Sequence, residues 1–421
     1  MSRYIRVTVI FVSAFLIHAS LVGDNSSAQA FSRLQVVGLA LQGNKTLQAA
    51  RTLIEQAEAR RSGAGLRSSP EITFNYSSDW VLNDEGQTSM GVGFEQRFPV
   101  TKRLSILQDL AEVEIELARA EVRNQERLMA REVELLCNEI AYIDAELGLR
   151  HSLVENDKEF AAFVESRIET AEASPIEANQ VRIELYILEQ EIEHLETDRT
   201  RLLENLRAKI GFEVGERITL SHRLDLGRAA PEFTDFSLED LDTHPEYQLR
   251  TLMLEVADMR ESLALASRWD DISLGLGYRE ERSIDEPIGI GNERFLGVSV
   301  SIPLPLKKRN ESRLKESLLE RQQMLQMREA VSLDLRSKAR AMREEASHLY
   351  HQSLEFQEKI TSLVELNLKE MAEAYGAGQV SLNEVFRSQS QRLKIQSAHL
   401  EMVRDYEQAL VEWRAAVAKN I

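Results

Sequence analysis

The sequence predicts a mainly α-helical protein with a small β part, made of two copies of one large unit. Three observations carry this. Phe98-Pro99-Val100-Thr101-Lys102-Arg103 recurs as Leu304-Pro305-Leu306-Lys307-Lys308-Arg309, an offset of about 206 residues. Only 8 of the 421 residues are proline and 6% are aromatic, while Glu, Ala, Leu, Arg and Gln fill long stretches, the composition of long helices and coiled coils. At matching places in the two copies the apolar period changes from three-and-four to two. A repeat this large is neither a short-period solenoid nor a propeller, so it implies a pseudo-symmetric architecture.

Residues 1–30 have the form of an export signal. Arg3 and Arg6 precede an apolar run over residues 7–17, and Ala28-Gln29-Ala30 has the small-x-small cleavage pattern. The run is shorter than the roughly 20 residues a spanning helix needs, so cleavage before Phe31 is expected.

The first repeat is expected over residues 31–211. Its first helix, residues 34–67, places Leu47, Ala50, Ile54 and Ala57 on one face and ends at Gly63, Gly65, Ser68, Ser69 and Pro70. A hairpin over 72–98 follows. Ile72, Phe74 and Tyr76 alternate with Thr73, Asn75 and Ser77 over strand 72–78. After a turn at Asn83-Asp84-Glu85-Gly86, Met90, Val92 and Phe94 alternate with Ser89, Gly91 and Gly93 over strand 88–98. A helical stretch from 101 to about 173 would be roughly 100 Å long at about 1.5 Å per residue. Ser174 and Pro175 break it, Ser as a cap and Pro in the first turn of a return helix. There Val181, Leu185, Leu188, Ile192, Leu195, Leu202 and Leu206 step by four and three, with Arg199 the one polar interruption, as in a coiled-coil seam ending near Gly211. The short first helix and the return helix together match the long helix in length, so stacked end to end they could line its whole side.

Residues 212–241, with glycine, proline and short mixed runs, read as a connector on the outside of the helical body. The second repeat, 242–421, starts with a helix over 245–269. Its hairpin covers 271–304, with strands 271–279 and 294–304 and a longer turn between them. A long helix from 308 to 375 ends at Gly376 and Gly378. The return helix runs to about 418, with Phe386, Leu393 and Leu400 seven apart and then Val403, Leu410 and Val417.

Several function classes are disfavoured. A net charge of −18 argues against nucleic acid and fits a solvated surface or an acidic conduit. Cys137 is the only cysteine and reads as a small apolar packing residue. The eight histidines show no metal-ligand spacing; His351 and His399 fall in helices. Glu132 with Glu134, and Glu189 with Glu191 and Glu193, point in different directions on a helix and read as solvated faces. No glycine-rich phosphate loop follows a strand. Neither an enzyme nor a cofactor is expected.

Each hairpin has one apolar and one small polar face, and no nearby globular domain needs that apolar face for its core. The alternation and strand length suit transmembrane strands with Phe74, Val92, Leu276 and Val300 toward lipid. Four strands cannot close a barrel, and open edges in lipid leave backbone groups unsatisfied, so several chains must share one. Three chains would give twelve strands, continued below by a helical tube.

This layout resembles the TolC-like outer-membrane efflux protein family across essentially the whole mature chain. The resemblance rests on the duplication, the Phe98-Pro99 and Leu304-Pro305 strand exits followed by Lys-Arg, and the motif Ala374-Tyr375-Gly376-Ala377-Gly378-Gln379-Val380-Ser381-Leu382-Asn383-Glu384-Val385. It implies a homotrimer, a barrel in the outer membrane, an α-helical tunnel across the periplasm, and docking through a periplasmic adaptor to an inner-membrane pump of the RND type. The compact size is most similar to the branch serving heavy-metal cation efflux. Type I protein secretion and a non-channel envelope coiled-coil scaffold are the alternatives.

The turns at Ala173-Ser174-Pro175 and Gly376-Ala377-Gly378 then become the far periplasmic tips and the adaptor-docking candidates. The resemblance also implies two acids just after the second tip, at positions matching Glu384 and Arg387; here the second is a cation. Glu384, Arg387 and Glu177 are therefore gate and selectivity candidates, with Arg387 expected to pair with Glu384 or Glu177.

Overall fold

A computed structural model of the chain describes residues 30–81, 86–169, 174–227, 230–285, 289–304 and 307–418. The expected signal peptide up to residue 29, the turn residues Asn83, Asp84 and Glu85, Ala173 and Pro305 lie outside these.

The segment expected as one helix over 34–67 is two, α1 (Arg33–Gly43) and α2 (Lys45–Gly63). The break is Asn44, whose backbone is extended at φ −61° and ψ 122°. Its side-chain oxygen accepts from the Leu47 amide at 3.0 Å, and its Nδ2 donates to the Lys209 carbonyl at 2.8 Å. One residue thus caps α2 and joins it to the end of α4 (Pro175–Ile210). The second copy repeats this device. His244 separates α5 (Leu238–Thr243) from α6 (Pro245–Ala266). Its Nδ1 accepts from the Glu246 amide at 3.2 Å, and its Nε2 lies 3.3 Å from the Ala415 carbonyl near the end of α9 (Leu382–Val417). Burial, helped by the Arg127 cation, pulls the His244 imidazole down to about 4, so it is neutral.

β1 (Ala30–Phe31) pairs in parallel with β4 (Thr219–Leu220), tying the connector to the first of the described residues. The larger sheet is antiparallel in the order β2 (Glu71–Ser78), β3 (Thr88–Phe98), β5 (Ile272–Asp285), β6 (Gly289–Ser301). The second hairpin differs from expectation: its strands, not its turn, are long. Pairing runs on to Asp285 and Gly289. The sequence hid this because Glu280, Glu281, Arg282, Glu293 and Arg294 interrupt the apolar alternation without interrupting the ladder.

α3 (Arg103–Glu169) is 67 residues and about 100 Å long. Its counterpart is not continuous. α7 (Lys307–Phe356) passes through a π-turn, Gln357–Thr361, into α8 (Ser362–Gly376). A π-turn holds one residue more than the α-turn it replaces. The spacing between copies grows by that residue across it. Pro99 matches Pro305 above the turn; below it, the helix caps Ser174 and Ser381 match, as do Gly211 and Ala418, both left-handed at φ 78° and 50°.

The helices form one layer of neighbours. α2 and α4 stack along one side of α3; α6 and α9 stack along the other; α7 and α8 follow on the outer side of α6 and α9. The strand order β2-β3-β5-β6 repeats this order. The core is a series of clusters between helices. Val36, Ala40, Cys137, Ile140, Leu206, Ile210 and Ile218 gather where α1 packs on α3 and the end of α4. Leu147, Val154, Leu188 and Ile192 lie lower down. Cys137 is fully buried, and its thiol is pushed up to about 12 by burial. The connector contributes Phe233 and Phe236, packed on Trp413 and Ala339; the Phe233 and Trp413 rings meet edge-on at 5.0 Å.

Candidate functional site

Two features have no role inside a single chain: the faces and edges of the four-stranded sheet, and the two helical tips.

The ladder register aligns the side chains into rows. Ile72, Phe94, Leu276 and Val298 form one row; Phe74, Val92, Tyr278 and Leu296 form the next. Val300 pairs with Leu274 one row toward the helices. All of these project from one face, and all are exposed: Phe74 at 65%, Val92 at 45%, Leu276 at 52% and Val300 at 59%. From Met90 to Phe98 this face extends for about 27 Å along β3 at about 3.4 Å per residue. Trp80 beyond the end of β2 and Trp269 just before β5 stand exposed at opposite ends of the band.

The opposite face is small and polar. Thr73, Gly93, Gly277 and Gly297 form one of its rows, and Glu71, Glu95, Gly275 and Ser299 another. Thr73 and Ser299 lie across Gly93 and Gly275, where a Cβ would collide with their hydroxyls. Among the described residues β2 and β6 have no partner on their outer sides, so both edges present bare backbone groups.

The helices below have unfinished edges on the same two sides. On α4, Ile176, Ile183, Tyr186 and Ile187 are exposed; on α8, Leu363 and Leu366 are. No described helix is long and apolar enough to cross a membrane, and no group of three or more His, Cys, Asp or Glu among the described residues could hold a metal ion.

At the tips, α3, α4, α8 and α9 converge. Val164, Ala178, Val181, Tyr375, Leu382 and Val385 make a buried cluster, with Phe160 and Phe386 against it. The chain turns after α8 in a Schellman motif. The Gln379 amide donates to the Ala374 carbonyl at 2.9 Å and the Gly378 amide to the Tyr375 carbonyl at 3.0 Å. Gly378 holds φ +72°, which a side chain rarely adopts, and nothing lies within 4 Å of where its Cβ would be. Gly376, at the last position of α8, is equally open. Across the cluster, Ser174 caps α4 with Pro175 in the first turn.

Glu177 and Glu384 occupy equivalent positions in the two copies and do the same work. Glu177 Oε2 accepts from the Ser174 amide at 2.7 Å. Glu384 Oε2 accepts from the Ser381 amide at 2.7 Å and from its hydroxyl at 2.9 Å. These bonds, the backbone one first, hold the Glu384 carboxyl below the usual range, and the Arg387 cation adds to the effect. Within the single chain no salt bridge of 4.0 Å or less joins Arg387 to either acid, and each carboxylate is engaged by the free amide at the start of its own helix.

Arg167 was missed by sequence reasoning. Its guanidinium lies 5.5 Å from the Tyr375 ring centre and 5.8 Å from that of Phe163, and it donates to the Tyr375 carbonyl at 3.3 Å, tying the first tip to the second. Its place in the last turn of α3 was legible; its partner across the tips was not. Asp157 was missed too. It is 1% exposed, accepts from Gln389 Nε2 at 2.9 Å, and is pushed up to about 6 by burial.

Residues 36–211 match the family Outer membrane efflux protein. Solved structures share the fold along nearly the whole chain. CusC, described for conformational changes accompanying folding and transmembrane channel formation, superposes with a TM-score of 0.75 at 17% identity over 93% of this chain and 92% of its own. The Campylobacter jejuni CmeC outer membrane channel gives 0.73 at 14% over 91% and 85%. The open state of the Neisseria gonorrhoeae MtrE outer membrane channel gives 0.73 at 14% over 91% and 88%. No curated protein matches in sequence.

Proposed function

We propose, from the match of residues 36–211 to the Outer membrane efflux protein family and the fold shared with solved outer-membrane channels, that the chain is a TolC-like outer-membrane efflux channel and the exit duct of a tripartite system. Three copies share a twelve-stranded barrel in the outer membrane. The helices continue it as a tunnel across the periplasm. A periplasmic adaptor meets the tips and links them to an inner-membrane pump, and the substrate passes through without chemistry.

The observation that carries this reading is the sheet: an exposed apolar face about 27 Å long, a small polar face, and two bare edges. In lipid those edges must be paired. Pairing β6 of one chain with β2 of the next satisfies them and brings the apolar stripe of α8 beside that of α4. The tip at Ser174, Pro175, Gly376 and Gly378 is the docking surface, about 100 Å from the barrel at the far end of α3. The Schellman turn at Gly378 exposes its backbone on that surface.

The test is the protein extracted from outer membranes in mild detergent. It should run as a trimer that resists SDS until heated, and it should open discrete channels in planar bilayers. A monomer without channel activity would refute the reading.

A further inference from the structure

On the small face of the sheet one row, among the described residues, carries an aromatic ring. Asn75, Gly91, Arg279 and Phe295 are register partners across the four strands. The neighbouring row toward the helices is Thr73, Gly93, Gly277 and Gly297, with no side chain larger than threonine. Phe295 is 46% exposed on this face. It is flanked along β6 by Gly297 and faces Arg279 on β5, so no apolar neighbour explains it. The side chain of Arg279 lies over Gly91: a Cβ built there would be 3.9 Å from Arg279 Cβ and 4.0 Å from its Cγ. The row sits where the apolar band ends, one residue beyond Tyr278 and Leu296, on the side of the hairpin turns.

We propose, resting on the barrel reading above, that Arg279 and Phe295 form a constriction ring inside the outer mouth of the channel. A twelve-stranded barrel with strands about 4.8 Å apart and tilted about 40° measures roughly 24 Å between opposite backbones. The glycine, serine and threonine positions leave that bore open, and the larger side chains on its helix side are Glu71, Glu95 and Arg97. Three Arg279 and three Phe295 side chains at one height narrow it. They present guanidinium groups and aromatic faces to whatever passes, so the ring selects against bulky cargo and holds planar or anionic groups more than compact cations. Glu281 and Glu293, partners in the row outside, add carboxylates next to the guanidinium.

Single cysteines read the ring directly. Cys137 is buried with its thiol pushed up to about 12, so it stays silent toward maleimides. Ser89, on the small face outside the ring, and Ser301, on the same face inside it, are each replaced by cysteine in the full-length chain. Intact cells are treated from outside with N-ethylmaleimide or with a bulky polyethylene-glycol maleimide. The expected result is that the small reagent labels both positions while the bulky one labels Ser89→Cys at least tenfold faster than Ser301→Cys. Adding Arg279→Ser and Phe295→Ser, with the SDS-resistant trimer as a check on folding, should remove the difference. Equal labelling of both positions by the bulky reagent, with the ring intact, overturns the constriction and leaves the barrel standing. No labelling of Ser301→Cys by the small reagent in an intact trimer overturns the barrel and the ring with it.

Discussion

Val300 and Ser299 are adjacent in sequence and separated by the whole sheet. Val300 lies on the apolar face, paired with Leu274, one row in from the Phe98–Ile272 row at the helix end of the sheet. Ser299 lies on the small face, against Gly275. On the barrel reading Val300→Arg puts a guanidinium on the lipid-facing side, where the cost is up to about 2–4 kcal/mol per chain. At about 1.4 kcal/mol per factor of ten, the assembled state loses roughly 30- to 800-fold per chain, and a trimer carries the change three times. Ser299→Arg can extend into lumen water and should cost about 0–1 kcal/mol. The assay is the fraction of SDS-resistant trimer in outer-membrane extracts as temperature is raised. The trimer should vanish or melt far earlier for Val300→Arg and persist for Ser299→Arg. Equal damage from both, or greater damage from Ser299→Arg, would refute the assignment of faces and the barrel with it.

Gly378→Val places a β-branched residue at φ +72°, costing about 1–2 kcal/mol of local strain without a clash; trimer assembly should survive while efflux, measured as substrate tolerance of cells, falls, and unchanged tolerance would count against tip docking. Asn44→Ala removes both the α2 cap and the bond to Lys209, and should destabilise the fold by about 1–2 kcal/mol in thermal unfolding. Asp157 is protonated more readily in the fold than in the open chain, so its contribution to stability is full below pH about 4 and is lost as pH rises through about 6. Asp157→Asn should therefore raise the melting temperature relative to the natural chain at pH 7.5 and leave it nearly unchanged at pH 4; a constant difference at both would show that burial does not shift this carboxyl.

The mainly helical class, the duplication, the two hairpins and their face alternation were legible in the sequence because each depends on neighbours a few residues apart. The change of period from 3.6 to 2 marks Ile72, Phe74, Leu276 and Val300 without reference to the rest of the chain. Capping is as local, so Ser174 and Pro175 announce the start of α4. The sequence also carried the extra residue in the second long helix, since Ser381 stands one place further on than the strand exits suggest. Only the fold shows where that residue goes. The π-turn falls at Gln357–Thr361, between α7 and the α8 that packs on α9. The same holds for Asn44 and His244, whose side chains at the helix breaks meet the carbonyls of Lys209 and Ala415 near the ends of other helices. It holds for Glu384, where sequence offered Arg387 as a partner and the amide of Ser381 takes the carboxylate. Periodicity and caps are properties of one segment and can be read from it. Which distant carbonyl, ring or amide completes a side chain's bonding is set by how the segments come together, and that was decided only in the folded chain.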